Sequence, residues 1–166
     1  MIEIVKANKQ YIPIIRSLAQ EFWPIAFASI LSEQQIEYMM QMMYSPASLE
    51  KQMDKGHRFV IAIKNGEQVG YMSYEIDCEN SNKTKIHKLY ISPKSQRMGV
   101  GKAMVHFVAQ QALQANNKSI YLNVNKYNNK AIGFYNNHHF QLVKEEEINI
   151  GDGFIMDDYV FELTLK

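Results

Sequence analysis

The chain has 166 residues, 46% of them hydrophobic and 21% charged, which suits a single domain over residues 1–166 with its own core. No apolar run approaches the roughly 18–20 residues of a membrane span, and one cysteine, Cys78, excludes an internal disulfide and a thiolate metal cluster. Net charge is only +1, yet it is unevenly spread. Ten acids lie at or before Glu79, and none follows until Glu145. Ten bases occupy that gap, from Lys83 to Lys144, and seven acids with one base make up the rest. A polyanion can dock on the basic middle and a cation on the acidic end; segregated solvated faces are the simpler account of Glu145, Glu146 and Glu147.

Met1 to Lys6 reads as the start of a strand, Ile2 to Ala7, rather than a signal peptide, and a cytoplasmic location is the default. Tyr11 to Phe22 carries helical periodicity, with Trp23 before Pro24 anchoring its end. Ser32-Glu33-Gln34-Gln35 is a capping-box pattern that opens a helix to about Tyr44. Its methionines (Met39, Met40, Met42 and Met43) suit core packing or an adaptable ligand surface. Ser45-Pro46 starts a short helix ending near Gly56. Phe59 to Ile63 and Gln68 to Glu75 form a hairpin about Asn65-Gly66. Cys78, between Asp77 and Glu79, has neighbours that disfavour a thiolate and reads as a bystander. After the polar loop Asn80 to Lys83 come a strand (Lys85 to Ile91), a helix (about Gly99 to Ala115), a strand (Ser119 to Val124) and a helix (Asn128 to about His138). Gln141 to Asn149 and Phe154 to Thr164 are strands around Gly151-Asp152-Gly153. The order predicts an α/β domain with a mixed sheet flanked by helices.

Gln96-Arg97-Met98-Gly99-Val100-Gly101-Lys102 joins a strand to a helix. Two glycines let the backbone approach a ligand closely, and the N–H groups of a first helical turn have no intrahelical partner. Such a corner suits phosphate. Arg97 and Lys102 are misplaced for helix stability alone, because a cation at a helix N-terminus is unfavourable by roughly 0.3–1 kcal/mol. A bound polyanion removes that conflict; a plain glycine turn with solvated bases is the simpler account.

Asn128-Asn129-Lys130-Ala131-Ile132-Gly133-Phe134-Tyr135 opens the last helix. Asn128 is a good N-cap, and Tyr135 falls on its side two turns later. A phenol there can donate a proton to a leaving thiolate, or simply be a packed aromatic.

Together these segments resemble the GCN5-related N-acetyltransferase (GNAT) superfamily. Gln96, Gly99 and Gly101 meet its acetyl-CoA loop, Gln/Arg-x-x-Gly-x-Gly/Ala; Asn128, Ala131 and Tyr135 meet its later Asn-x-x-Ala-x-x-x-Tyr motif. Lys88 to Pro93 and Gly153 to Tyr159 further resemble a branch with bacterial polyamine (spermidine/spermine) N-acetyltransferases.

The resemblance implies the GNAT fold, a mostly antiparallel mixed sheet with two splayed parallel strands, and acetyl-CoA as cosubstrate with no metal. It implies that Leu89, Tyr90 and Ile91 line the pantetheine arm, with the Leu89 N–H polarising the acetyl carbonyl. N–H groups of Met98, Gly99, Val100, Gly101 and Lys102, beside Gln96 and Arg97, would hold the pyrophosphate. Asn128 would touch the pantetheine or thiol end, and Lys130 a CoA phosphate. The amine attacks directly and Tyr135 protonates the thiolate. Several members carry a glutamate base where Lys85 stands, so His87, or a water chain from Glu75 or Asp77, is the candidate to take the proton; a packed or solvent histidine is the simpler account of His87.

Asp157 and Asp158 can attract a polyamine or another primary amine, or be a strand-end pair facing water. His139 replaces the glycine usual before Phe140, where a left-handed residue costs on the order of 1 kcal/mol. A non-catalytic acyl-CoA sensor and a protein N-terminal acetyltransferase are the rivals. Nucleic acid is not expected as a partner, because no binding motif accompanies the basic middle. A homodimer fits the family pattern.

Overall fold

In the computed structural model, which describes residues 1–166, seven strands and five α-helices follow one another in the expected order. They are β1 (Ile2–Ala7), α1 (Ile12–Phe27), α2 (Glu33–Tyr44), α3 (Pro46–Asp54), β2 (Arg58–Lys64), β3 (Glu67–Glu75) and β4 (Lys83–Ile91). Then come α4 (Val100–Gln114), β5 (Ser119–Asn125), α5 (Asn129–Asn137), β6 (Gln141–Gly151) and β7 (Phe154–Thr164). Strand order is β1-β2-β3-β4-β5-β7-β6, and β4 with β5 is the parallel pair. The mixed, mostly antiparallel sheet of the sequence expectation is therefore present. No helix is long and apolar enough to cross a membrane.

Packing divides the chain into two units: residues 1–75 with 87–108, and residues 76–86 with 109–166. In the first, β1 and β2 pair antiparallel from Ile2↔Lys64 to Ala7↔Phe59, and β2 pairs with β3 through a bulge at Ala62/Ile63. Ser32 and Ser45 cap α2 and α3 by accepting from the N–H groups of Gln35 and Ser48. Phe22, Trp23, Tyr44 and Tyr71 are fully buried, and the Trp23 indole donates to the Tyr44 hydroxyl at 3.1 Å. The Tyr44 and Tyr71 hydroxyls lie 2.7 Å apart. Burial pushes both phenols well above their ordinary range.

The first helix runs past Pro24 to Phe27 instead of stopping near Phe22. A proline inside a helix costs about 3 kcal/mol. Burying Trp23 and Phe27 returns about 1.5–3 kcal/mol each. Pro24 and Gln20 both face solvent, so water can satisfy the Gln20 carbonyl that loses its donor. Of the α2 methionines, Met39 is buried, Met42 is exposed, and Met40 lines a small groove with Arg16 and Tyr44. Core packing thus accounts for Met39 alone.

In the second unit, β4 pairs with β5 from Lys83↔Ser119 to Ile86↔Leu122, where the parallel ladder ends. β7 lies between β5 and β6, antiparallel to both. Ile120, Leu122, Tyr135, Phe140 and Phe161 are buried. The predicted loop before β4 is tightly built. Asp77, Glu79, Asn80 and Asn82 all have positive φ, and the Asp77 carboxylate accepts from the Asn82 N–H at 2.8 Å. Helix α5 ends at Asn137, and His139, two residues on, has φ +69°, the left-handed position its sequence context predicted.

Candidate active site

In the first unit, β4 runs through Leu89, Tyr90 and Ile91 into a turn held by the Ser92 N–H, which donates to the Val69 carbonyl at 2.8 Å. Arg97 (φ +66°) and Gly99 (φ +84°) are both left-handed, a conformation glycine adopts at little cost and arginine does not. The helix starts one residue later than the sequence suggested. Gly99 stands as its cap, its carbonyl accepting from the Ala103 N–H at 3.0 Å. That is the first bond of α4, so the N–H groups of Val100, Gly101 and Lys102 have no partner inside the helix. Val100 and Gly101 are buried, while Arg97, Met98 and Lys102 are exposed, with Gln96 between these extremes. Neither cation is in an ion pair. The macrodipole, three open N–H groups and two unpaired cations all favour an anion at this corner.

Gly70 on β3 shows how tightly this unit is built around the same elements. A Cβ there would meet the Tyr90 carbonyl at 3.0 Å and the Met104 sulfur of α4 at 3.4 Å.

His87 is not isolated on its strand. Its Nε2 lies 3.0 Å from Glu75 Oε1, and His57 Nε2 lies 3.3 Å from the same oxygen. The two imidazoles stack at 4.0 Å, 6° from parallel. All three side chains are partly exposed, at 17%, 25% and 19% for His57, Glu75 and His87. An ionised carboxylate only accepts, so Nε2–H of His87 donates to it. The lone pair of neutral His87 then sits on Nδ1. Glu75, an alternative base acting through water in the sequence reading, bonds His87 directly. Asp77, its companion in that expectation, instead ties down the loop before β4.

Lys88, next on the strand, is 7% exposed and donates to Gln52 Oε1 at 2.6 Å. Its ammonium lies 5.4 Å and 5.7 Å from the ring centroids of Tyr44 and Phe59, and burial pulls it down to about 8.

In the second unit, Asn128 caps α5, its side-chain oxygen accepting from the Ala131 N–H at 3.2 Å. Its amide nitrogen remains available for other contacts. Lys130 is exposed in the first turn. Tyr135 is 7% exposed, packed on Phe140 and Phe161, and its hydroxyl has no hydrogen bond within the protein. Burial pushes this phenol up, so it stays protonated through the neutral range.

Asp157 and Asp158 do not form a water-facing pair. Asp157 forms an ion pair with Lys126 at 2.8 Å, and Glu145 also pairs with that ammonium, at 2.7 Å. Asp158 is 3% exposed. Its Oδ2 and Glu146 Oε2 share the Asn123 amide, at 3.3 Å and 3.0 Å, while Oδ1 of Asp158 is buried without a partner. Burial holds Asp158 above the ordinary carboxylate range. The Lys144 ammonium and the Asn123 amide pull Glu146 below it. The Lys85 ammonium lies over the Tyr121 ring at 5.8 Å. His57 and Asn123 had no signal in the sequence, and Glu146 stood out only as one of a run of acids. Their partners lie 18 or more residues away, and only strand pairing joins them.

Known proteins share this architecture. PaiA N-acetyltransferase from Thermoplasma acidophilum, solved in complex with coenzyme A, superposes with a TM-score of 0.81 at 22% identity over 99% of each chain. A GNAT-family acetyltransferase from Staphylococcus aureus gives 0.72 at 21% identity over 100% of each chain. A ribosomal-protein alanine N-acetyltransferase from Escherichia coli gives 0.73 at 13% identity, over 99% of this chain and 94% of that one. At these identities the superpositions speak for the fold. The sequence profile of the acetyltransferase (GNAT) family matches residues 14–140, from within α1 through both motifs to Phe140, three residues past α5. The chain therefore belongs to the GNAT acetyltransferase family, whose enzymes take their acetyl group from acetyl-CoA.

Proposed function

We propose that residues 1–166 act as one catalytic domain that moves acetyl from acetyl-CoA to a primary amine, with a small-molecule amine or polyamine favoured, by direct attack. The observation that carries this reading is the start of α4. Three open N–H groups and the unpaired cations Arg97 and Lys102 lie at the far end of the turn 92–99 that follows the strand bearing Leu89 and Ile91. Met98 to Lys102, with Gln96 and Arg97, hold the pyrophosphate. Leu89, Tyr90 and Ile91 receive the pantetheine, and the Leu89 N–H polarises the acetyl carbonyl. Asn128 and Lys130 complete the CoA contacts. Much of the rate comes from holding amine and thioester in line.

His87 takes the amine's proton on Nδ1, because Glu75 occupies Nε2 and steadies the imidazolium that forms. Tyr135 gives its proton to the departing thiolate. Asp158, backed by Glu146, draws the cationic acceptor; Asp157 contributes less because Lys126 already neutralises it. Calorimetric titration with CoA, followed by thiol release from acetyl-CoA against polyamines, amino acids, aminoglycosides and peptide N-termini, tests the reading. Turnover with small amines alone supports it. Turnover confined to peptide N-termini replaces it with a protein acetyltransferase, and CoA binding without turnover on any amine leaves a sensor.

A further inference from the structure

The geometry points to a divalent transition-metal site at His57, Glu75 and His87 that switches the enzyme off when filled. The three side chains come from the residue just before β2, the end of β3 and the middle of β4, so the fold, rather than a local motif, assembles them. Their ligand atoms lie within 4.8 Å of one another, and the two nitrogen–oxygen separations are 3.0 Å and 3.3 Å. Bonds of about 2.0–2.2 Å around a tetrahedral ion place neighbouring ligand atoms about 3.3 Å apart, so an ion fits between these atoms with little movement of the backbone.

Two imidazoles and one carboxylate form a borderline donor set that suits Zn²⁺, Co²⁺ or Ni²⁺ rather than Mg²⁺ or Ca²⁺, which prefer all-oxygen shells. Three protein ligands leave a fourth position for water, and the partial exposure of all three side chains gives an ion a way in. The stacked rings must fan apart, since each in-plane lone pair has to converge on one ion. His57 has room to do so, because it borders a groove of about 370 Å³ lined also by Met53, Phe59 and Tyr74. Each neutral ring moves its proton from Nε2 to Nδ1 as Nε2 takes the metal. For His87 that consumes the lone pair assigned to the amine's proton and breaks the bond to Glu75. The loss of turnover rests on the role proposed for His87, while metal binding does not.

Titration of the metal-free protein with Co²⁺, followed by its visible absorption, and equilibrium dialysis with Zn²⁺ test the site. The expected result is one ion per chain at low micromolar concentration, with the intense bands of a four-coordinate centre. His57→Gln and Glu75→Gln should each weaken binding by more than about tenfold, with far-UV circular dichroism checking that both stay folded. Zn²⁺ should stop acetyl transfer, a chelator should restore it, and His57→Gln should remain active while resisting Zn²⁺. No stoichiometric binding, or binding equal in the wild type and both variants, overturns the site. Binding at this site with unaltered turnover overturns the switch, and with it the catalytic role of His87.

Discussion

Glu75 Oε1 lies 3.0 Å from Nε2 of His87, joining two neighbouring strands through one carboxylate. The bond engages Nε2, so the base role proposed for His87 falls to Nδ1. In the proposed reaction this pair supplies the base, His87 taking the proton and Glu75 steadying it. Replacing His87 with Ala should lower kcat/KM by about 10²–10⁴, the usual worth of a positioned base. Glu75→Gln should lose less, because the amide oxygen still accepts from Nε2–H but no longer balances the imidazolium. Steady-state kinetics with a saturating amine check both. Equal rates in the wild type and His87→Ala remove the role.

Gly99 has open space around its missing side chain, so its cost on substitution is conformational. At φ +84°, Gly99→Ala should destabilise the fold by about 1–2 kcal/mol. It should also raise the KM for acetyl-CoA, because the N–H groups of Val100 to Lys102 lose their aim. Urea unfolding and acetyl-CoA titrations measure the two effects separately. Arg97→Ala and Lys102→Ala should weaken CoA binding without the stability cost, and more so at low salt.

Lys88 makes the fold sensitive to alkaline pH. Its folded value of about 8 lies below its ordinary 10.5. The unfolded chain therefore holds the extra proton between those values, and the contribution of Lys88 to stability rises with pH across the window. The gain is about 3 kcal/mol. Lys88→Met removes the buried charge, so the variant should be more stable than the wild type at pH 7, and their difference should shrink towards pH 10. Paired denaturation curves across that range check the sign; a constant difference contradicts it.

His139, two residues past α5, holds a left-handed conformation that favours glycine. His139→Gly should stabilise the protein by about 0.5–1 kcal/mol, read as a higher urea midpoint at unchanged slope.

Elements punctuated by local chemistry were legible in the sequence. Ser32, Ser45-Pro46, Asn65-Gly66 and Asn128 each act within a few residues, and the helices and hairpin begin or turn where they stand. The end of α1 was not legible. The local cost of Pro24 is visible in sequence, but the burial that outweighs it depends on Trp23 meeting Tyr44. The site divides in the same way. The glycine corner and Asn128 are local, and both lie where expected. The contacts of His57 and Glu75 with His87, and of Asn123 with Glu146 and Asp158, need strands paired over long separations. No periodicity encodes which side chain a neighbouring strand will bring.

The most direct test of acetyl transfer is the rate of thiol release from acetyl-CoA with a reactive amine, compared between the wild type and Tyr135→Phe. The account predicts amine-dependent release that falls about 10²-fold or more in the variant, with acetyl-CoA affinity unchanged. Equal rates in the two proteins, or no amine-dependent release from a wild type that binds CoA, would contradict it.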